Sequence, residues 1–260
     1  MRSAAETRDL QLIPLRGVPL VHPGTDLLGL VCDITQRQGS ALVDGDVLVV
    51  AQKIVSKAEG RYVDLATIKP GEQALALSGQ VHKDARLVEV ILNESRRVVR
   101  HRPGVLIVEH KLGFVLANAG VDQSNVDPRC GAEPVLLLPE DPDGSARQLH
   151  DGLRARLGKN VAVIINDSLG RAWRRGTVGI ALGAAGLPAL SDLRGRADLY
   201  GRPLQTSETG FADEIASAAS LLMGQANEAA PIIIVRGLKW SAKSSSAAQL
   251  LRNPDEDLFR

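Results

Sequence analysis

The residues best suited to chemistry in this sequence are Asp167 and Ser168, which follow the apolar run 161–165. A carboxylate beside a hydroxyl offers the hard oxygen ligands that Mg²⁺ or Mn²⁺ prefers when it carries nucleotide phosphates. Three arginines follow, and their guanidinium groups can bind phosphate or carboxylate: Arg171, Arg174 and Arg175. Two interpretations stay open. The segment is either an anion and metal site at the end of a buried strand, or a helix N-cap followed by a solvated face.

Two further segments carry polar side chains suited to a nucleotide. Lys57 lies shortly after the apolar run 47–50, where an ammonium can reach phosphate, although an exposed surface lysine is the alternative. The loop 118–125 combines a carboxylate with amides, a composition that also suits any Asx-rich turn. The sequence has neither a P-loop nor a Gly-x-Gly-x-x-Gly pattern, so a nucleotide site would need another construction.

The composition disfavours several classes of protein. The chain has 260 residues, 44% of them apolar, which is enough for one large domain. Its 31 basic and 30 acidic residues nearly cancel, and only 3% of residues are aromatic, so no nucleic-acid partner is expected. Cys32 and Cys130 lack zinc-site spacing and predict free thiols. With no signal peptide and no long apolar stretch, we expect a cytoplasmic protein without a membrane segment.

The pattern of apolar residues predicts the elements that position these side chains. Strands are predicted at 10–15, 47–50, 105–109, 114–117, 135–138, 161–165 and 231–235. Helices are predicted at 26–38, 85–98, 145–157 and 213–223, with Thr25 or Asp26 capping the first and Ser145 the third. The small residues 179–186 predict close backbone packing, and the polar segment 192–202 predicts a mobile loop over a site.

Eight different segments follow one another between about residues 12 and 238: RGVPL at Arg16, DGDVLVVAQKIVSKAEGR from Asp44, NAGVDQSNV from Asn118, LLPEDPDGSA from Leu137, VAVIINDSLGRAWRRG from Val161, DLYGR from Asp198, ADEIASAASLLMG from Ala212 and VRGL from Val235. Together they resemble the coenzyme F420-0:γ-glutamyl ligase family. Bacterial members are often fused to a C-terminal flavin-type domain; because the sequence ends at Arg260, we expect the ligase domain without it.

The resemblance implies a GTP-dependent ligase that adds L-glutamate, through γ-linked amide bonds, to the deazaflavin coenzyme precursor F420-0. It implies that a precursor carboxylate attacks the γ-phosphate and forms an acyl phosphate, which the glutamate amine then displaces. Divalent metals and fixed cations stabilise the charge that develops in such a reaction. The family implies Mg²⁺ or Mn²⁺ at two sites, and K⁺ as a further ion.

The resemblance also assigns roles to positions of this sequence. It implies that Asp122 and Asp167 bind a first metal, and that Ser168 and Gln225 bind a second. Asp122, Asp167 and Ser168, with Arg171 and Arg175 for anion binding, form the implied catalytic set. The implied GTP-binding residues come from three loops and one amide: Arg16, Gly17, Val18 and Pro19; Gln52, Lys53 and Lys57; Asn125; and Met223, Gly224, Gln225, Ala226, Asn227, Glu228, Ala229 and Ala230.

The expected fold is α+β, with mixed β-sheets and flanking helices in two interlocked lobes, and the family implies an intertwined homodimer. We expect a single domain over residues 1–260, with a polar leader at 1–9 and a charged tail at 250–260. Two other functions stay open. One is a related ligase that joins a different carboxylate and amine. The other is a nucleotide-binding protein without turnover, suggested by the neutral Gln225.

Overall fold

Both strands and helices form along residues 9–258, the part of the chain that the computed structural model describes. The strands are β1 (Gln11–Pro14), β2 (Val47–Ala51), β3 (Tyr62–Asp64), β4 (Ser95–Arg102), β5 (Val105–His110), β6 (Val115–Ala117), β7 (Pro134–Leu136), β8 (Ala162–Arg171), β9 (Arg174–Ala185), β10 (Ser191–Asp192), β11 (Glu208–Thr209) and β12 (Ile232–Arg236). The helices are α1 (Leu27–Gln38), α2 (Gln52–Ala58), α3 (Glu72–Val81), α4 (Ala85–Asn93), α5 (Pro142–Leu157) and α6 (Phe211–Met223). The predicted α+β class is confirmed.

The central sheet has five strands in the order β1-β12-β2-β8-β9. β2 and β8 are parallel, and the other neighbours are antiparallel. Leu48 and Val50 of β2 pack with α1 and α5 on one face, whereas Val47 and Val49 pack with α6 on the other. Because successive side chains alternate between faces and both faces are covered, the strands at the centre of this sheet are continuous apolar runs.

A second group of elements packs around its own hydrophobic cluster. It comprises α3, α4, the three-stranded sheet β4-β5-β6 and the pair β3-β7, with a core that includes Val88, Ile91, Leu106 and Val108. This group supplies the loop after β6, which reaches the candidate site described below. The interlocked lobes and the homodimer that the family resemblance implies stay predictions.

Two helix boundaries lie three or more residues from their predicted positions. The helix expected at 85–98 ends at Asn93, and Ser95 begins β4, because the following residues form a hairpin with β5. The helix expected to start at Ser145 starts at Pro142 instead, with Asp141 as its N-cap: the Asp141 Oδ1 atom accepts a 2.9 Å hydrogen bond from the Gly144 N–H. Proline is tolerated in the first helical turn because its missing N–H would have no partner there. The Asp26 cap of α1 is confirmed.

The segment that opens at Val161 forms neither a helix cap nor a strand that stops before Asn166. β8 continues through Asp167 and Ser168 to Arg171, and a tight turn leads into β9. The close packing predicted for the glycine-rich run is confirmed, since a Cβ atom on Gly179 would collide with Ser220 and with the Ala216 backbone of α6.

The ends of the chain lie partly outside the described residues. Residues 1–8 of the predicted leader and the last two residues of the predicted tail belong to that part. The start of the tail is anchored, because Leu250 and Leu251 pack against hydrophobic clusters of the fold. Among the described helices, none combines the length and apolar character needed to cross a bilayer.

Candidate active site

A cavity of about 890 Å³ opens where β2 ends and where β8 passes from apolar to polar residues. Ala51, the last residue of β2, pairs with Asn166 of β8, so the polar residues that follow both positions lie at one edge. The pairing of β8 with β9 also shifts register between Ile165 and Asn166. Such bulges redirect side chains and are common beside active sites.

Most of the residues assigned by resemblance line this cavity. They are Val18, Pro19, Gln52, Lys53, Lys57, Asp122, Asn125, Asp167, Ser168, Met223, Gly224, Gln225, Ala226, Asn227, Glu228, Ala229 and Ala230. The loops that carry them are far apart in sequence, and the fold brings them together around one space. The cavity is therefore a candidate active site.

Lys53 and Asp122 form an ion pair in the cavity wall. The Lys53 Nζ atom lies 2.7 Å from Asp122 Oδ2 and also donates to the Ser124 hydroxyl at 3.0 Å. The Ser124 backbone N–H donates to the other carboxylate oxygen of Asp122 at 2.6 Å. Burial on its own would raise the pKa of Asp122, but the hydrogen bonds from Lys53 and Ser124 hold it below its ordinary value.

Asp167 has no ion pair within residues 9–258 like the one between Lys53 and Asp122. Its Oδ1 atom accepts a 2.8 Å hydrogen bond from the Ser168 N–H. Although part of the side chain reaches solvent, the carboxyl lies deep in the protein, and burial raises its pKa to about 6; the charge of Asp122 adds to this rise, and the charge of Lys53 opposes it. A buried carboxyl in this state gains from a nearby positive ion.

Ser168 connects β8 to the loop that follows α6. The Gln225 side chain donates from Nε2 to the Ser168 hydroxyl oxygen at 2.7 Å. On the other side of the same loop, Asn125 donates from Nδ2 to the Ala226 carbonyl at 3.3 Å. Two hydrogen bonds therefore connect the 224–230 loop to the neighbouring walls of the cavity.

Lys57 is the second lysine of the cavity. It lies on α2 one helical turn after Lys53, so both ammonium groups are on the same face. Burial, together with the positive charge of Lys53, lowers the pKa of Lys57. Two cations so close together favour a polyanionic ligand between them and the carboxylates.

Sequence reasoning missed several residues that line the cavity: His22, Ser124, Asn166, Asp127 and Arg129. Asn166 is 4% exposed and donates from Nδ2 to Ser220 Oγ and to Met223 Sδ, so it holds the end of α6 against β8. Its position directly before Asp167 was the available signal. Asp127 pairs with Arg129 at 2.8 Å and with His22 at 3.2 Å, contacts that no sequence pattern indicated.

Four residues assigned by resemblance do not line the cavity of this chain: Arg16, Gly17, Arg171 and Arg175. The Arg16 backbone N–H donates to Gln38 Oε1, and Arg171 donates to the Gly176 carbonyl at the tip of the β8-β9 hairpin. Their roles in anion and GTP binding stay predictions.

The segment 192–202 does not cover the cavity, contrary to expectation. None of its residues lines that space, because Asp192 at its start pairs with Glu208 of β11, which directs the segment to another part of the fold. Arg196 instead lines a smaller cavity of about 350 Å³, together with Phe211 and Trp240. The glycines and arginines that predicted a mobile loop over a site therefore form a hairpin-like loop beside this smaller cavity.

The donor atoms of the cavity fit a divalent cation. Carboxylates from Asp122 and Asp167, a hydroxyl from Ser168 and an amide from Gln225 are all oxygen ligands. Among residues 9–258, no group of three or more His, Cys, Asp or Glu side chains gathers at one point. A cation held by these residues would thus take its remaining ligands from the substrate or from water.

The fold and the cavity together define an α+β protein with a site suited to a small, charged molecule. The family model described as F420-0:Gamma-glutamyl ligase matches residues 17–237. The chain therefore belongs to the F420-0:γ-glutamyl ligase family. It is similar to the coenzyme F420:L-glutamate ligase of Methanothermobacter thermautotrophicus, at 45% identity over 253 residues, or 96% of this chain and 99% of that protein.

Two further curated relatives carry the same name. The coenzyme F420:L-glutamate ligase of Methanopyrus kandleri is 45% identical over 258 residues, covering 96% of this chain and 99% of the relative. That of Archaeoglobus fulgidus is 42% identical over 252 residues, covering 96% of each chain. The similarity extends over nearly the whole length of these proteins.

Proposed function

We propose that this protein is a GTP-dependent ligase that joins L-glutamate to the coenzyme F420 precursor, F420-0, through γ-linked amide bonds. The observation that carries the proposal is the gathering of Asp122, Asp167, Ser168, Lys53 and Lys57 around one cavity in a member of this ligase family. The names of the relatives support L-glutamate and a form of coenzyme F420 as the two molecules that are joined. The paired lysines and carboxylates support the transfer of a phosphoryl group.

The residues of the cavity divide the work of binding. Lys53 and Lys57 supply fixed positive charge for the nucleotide phosphates, as lysine ammonium groups do in other phosphate sites. The 224–230 loop, with Asn125, contributes backbone groups and amides that can recognise the guanine base. The cavity volume of about 890 Å³ is near the upper end of ordinary ligand pockets, which accommodates a nucleotide beside a second substrate.

Asp122, Asp167, Ser168 and Gln225 would hold Mg²⁺ or Mn²⁺ at two adjacent positions. Bound there, such ions would neutralise charge on the β- and γ-phosphates and orient them. The buried Asp167 carboxyl, whose pKa is raised to about 6, is the feature that fits this role, because its burial penalty falls when a cation binds. The family resemblance adds K⁺ as a third ion, for which the described residues indicate no separate site.

The chemical sequence has two displacements. A carboxylate oxygen of F420-0 attacks the γ-phosphorus of GTP, and the bond to the β-phosphate oxygen breaks, which releases GDP and leaves an acyl phosphate. The glutamate amine then attacks the acyl carbon, inorganic phosphate leaves, and the nitrogen loses a proton to form the amide. Lys53 and Lys57 would hold the transferred phosphoryl group in place and stabilise its charge through both steps.

We also propose that the active protein is a homodimer. The β8-β9 hairpin ends in the exposed Trp173, with Arg174 and Arg175 beside it, and side chains of this kind are enriched at interfaces. A second chain is therefore a suitable place for Arg175 to act, since Arg175 does not line the candidate active-site cavity of its own chain.

The proposal is tested by incubating purified protein with F420-0, L-glutamate, GTP and Mn²⁺, and by following precursor mass and GDP together. Omitting each component in turn gives the controls, and ATP in place of GTP tests the base. Other amines in place of glutamate distinguish a related ligase with a different substrate pair. Unchanged precursor with tight GTP binding would favour a nucleotide-binding protein without turnover.

A further inference from the structure

We propose that Lys53 occupies the metal-binding edge of Asp122 in the ligand-free protein, so that a divalent cation binds together with the nucleotide and not before it. Nucleotide phosphates would draw the ammonium away from Asp122, and the cation would take its place. This inference rests on the proposed function, because it takes Asp122 to be a metal ligand.

The ammonium of Lys53 is fully bonded where it lies. Its three N–H donors match three acceptors: Asp122 Oδ2 at 2.7 Å, the Ser124 hydroxyl at 3.0 Å and the Ser124 carbonyl at 3.3 Å. The side chains of Lys53 and Asp122 are 25% and 34% exposed, so the pair is partly shielded from water. Lys53 is thus a bound cation of the site and not a lysine that extends freely into solvent.

Each carboxylate oxygen of Asp122 has a partner in this arrangement. Oδ2 contacts Lys53, and Oδ1 accepts the 2.6 Å hydrogen bond from the Ser124 backbone N–H. A backbone N–H cannot leave without movement of the loop, whereas a lysine has four rotatable side-chain bonds. A divalent cation on Asp122 would lie beside the Lys53 ammonium, so the repulsion between the two positive charges favours displacement of Lys53, whose lost contacts must then be compensated.

A bound nucleotide supplies that compensation. Lys53 lies in the first turn of α2, on the same face as Lys57, and both line the cavity. Phosphate oxygens between the two lysines would relieve the repulsion between their positive charges and would give Lys53 a new anionic partner. Asp122 then exchanges an ammonium for a metal ion, so no charge is left unpaired.

The test is the affinity for Mn²⁺, measured from the free-ion signal in electron paramagnetic resonance, with and without GDP. For the wild type we expect weak binding of Mn²⁺ alone and much tighter binding with GDP. For Lys53→Met we expect binding of Mn²⁺ alone to tighten about five- to tenfold, the scale of a partly shielded ion pair, while the gain from GDP shrinks. Lys57→Met is the matched control, because it removes the same charge without freeing Asp122.

Three results would overturn the inference: unchanged or weaker Mn²⁺ binding by Lys53→Met, an equal gain in Lys57→Met, or wild-type binding of Mn²⁺ alone as tight as with GDP. If Lys53→Met does not fold, a crystal structure of the wild type with Mn²⁺ and GDP decides the matter. In that structure Lys53 Nζ must contact a phosphate oxygen of GDP and not Asp122. If the protein forms no amide product and yet Lys53→Met tightens Mn²⁺ binding, the proposed function fails and the competition stands.

Discussion

Replacement of Asp167 by Asn is expected to abolish ligase turnover and, at the same time, to stabilise the metal-free protein above pH 6. An amide is a weaker ligand for a hard cation than a carboxylate, which explains the loss of turnover. The Asn side chain keeps an oxygen that can accept the hydrogen bond from the Ser168 N–H. The gain in stability follows from removing a charge that burial disfavours.

The magnitude follows from the pKa. Burial raises the pKa of Asp167 from 3.8 to about 6. At 1.36 kcal/mol per pKa unit, the ionised carboxylate costs the folded state about 3 kcal/mol above pH 6. Because the folded protein holds this proton more tightly than the unfolded chain does, wild-type stability falls as pH rises from about 4 to about 6, and this contribution is then constant.

The assay is urea unfolding of wild type and Asp167→Asn in the presence of a chelator, at pH 5 and pH 8. The difference in free energy of unfolding should grow in favour of the variant by about 1.4 kcal/mol between these values, since part of the cost is already present at pH 5. Comparing two pH values cancels any constant effect of the substitution. A difference that does not change with pH would refute the reasoning, and near-normal turnover at saturating Mn²⁺ would exclude Asp167 as a metal ligand.

Three further outcomes are expected. Gln225→Glu should tighten the binding of Mn²⁺ in the presence of GDP, because it adds a carboxylate beside Ser168, and binding no tighter than in the wild type would exclude this position as a ligand. Lys57→Met should raise the KM for GTP about tenfold or more, the scale of one lost charged contact to phosphate, and should leave the circular dichroism spectrum unchanged. An unaltered KM would contradict the proposal that Lys57 binds the phosphates. In a urea titration, Gly179→Ala should lower the free energy of unfolding by about 1–3 kcal/mol, because the new Cβ meets Ser220 and the Ala216 backbone. The control variant is Gly170→Ala, which has open space around it and should lower the free energy of unfolding by less than about 1 kcal/mol.

The apolar strands were predictable because burial on both faces of the sheet makes each of them an uninterrupted run of apolar residues. Residues 47–50 of β2 and 232–235 of β12 are buried from both sides of the sheet, and all of them are valine, isoleucine or leucine. β9 was missed for the opposite reason. It is rich in glycine and alanine, as the close approach of α5 and α6 requires, and it becomes a strand only by pairing with β8. Its signal lies in tertiary contacts and not in its own pattern.

The candidate site also contains residues that were recognisable from local sequence and residues that were not. Asp167 and Ser168 were recognisable locally, since a carboxylate and a hydroxyl follow the apolar run 161–165 closely. Asp122, Lys57 and Gln225 were joined to them only through the family resemblance, because no local pattern connects three loops so far apart. The Lys53 contact with Asp122 and the partners of Asn166 depend on side-chain geometry, and no spacing rule could predict them.

The central claim is that this cavity couples GTP cleavage to amide formation on F420-0, and a single incubation tests it most directly. Purified protein is mixed with F420-0, L-glutamate, GTP and Mn²⁺, and mass spectrometry of the precursor is read beside the release of GDP. The account predicts a product heavier by a glutamyl residue, with one GDP formed for each amide bond, and neither product with Asp167→Asn. Unchanged precursor without GDP release, in a folded protein with metal present, would contradict it.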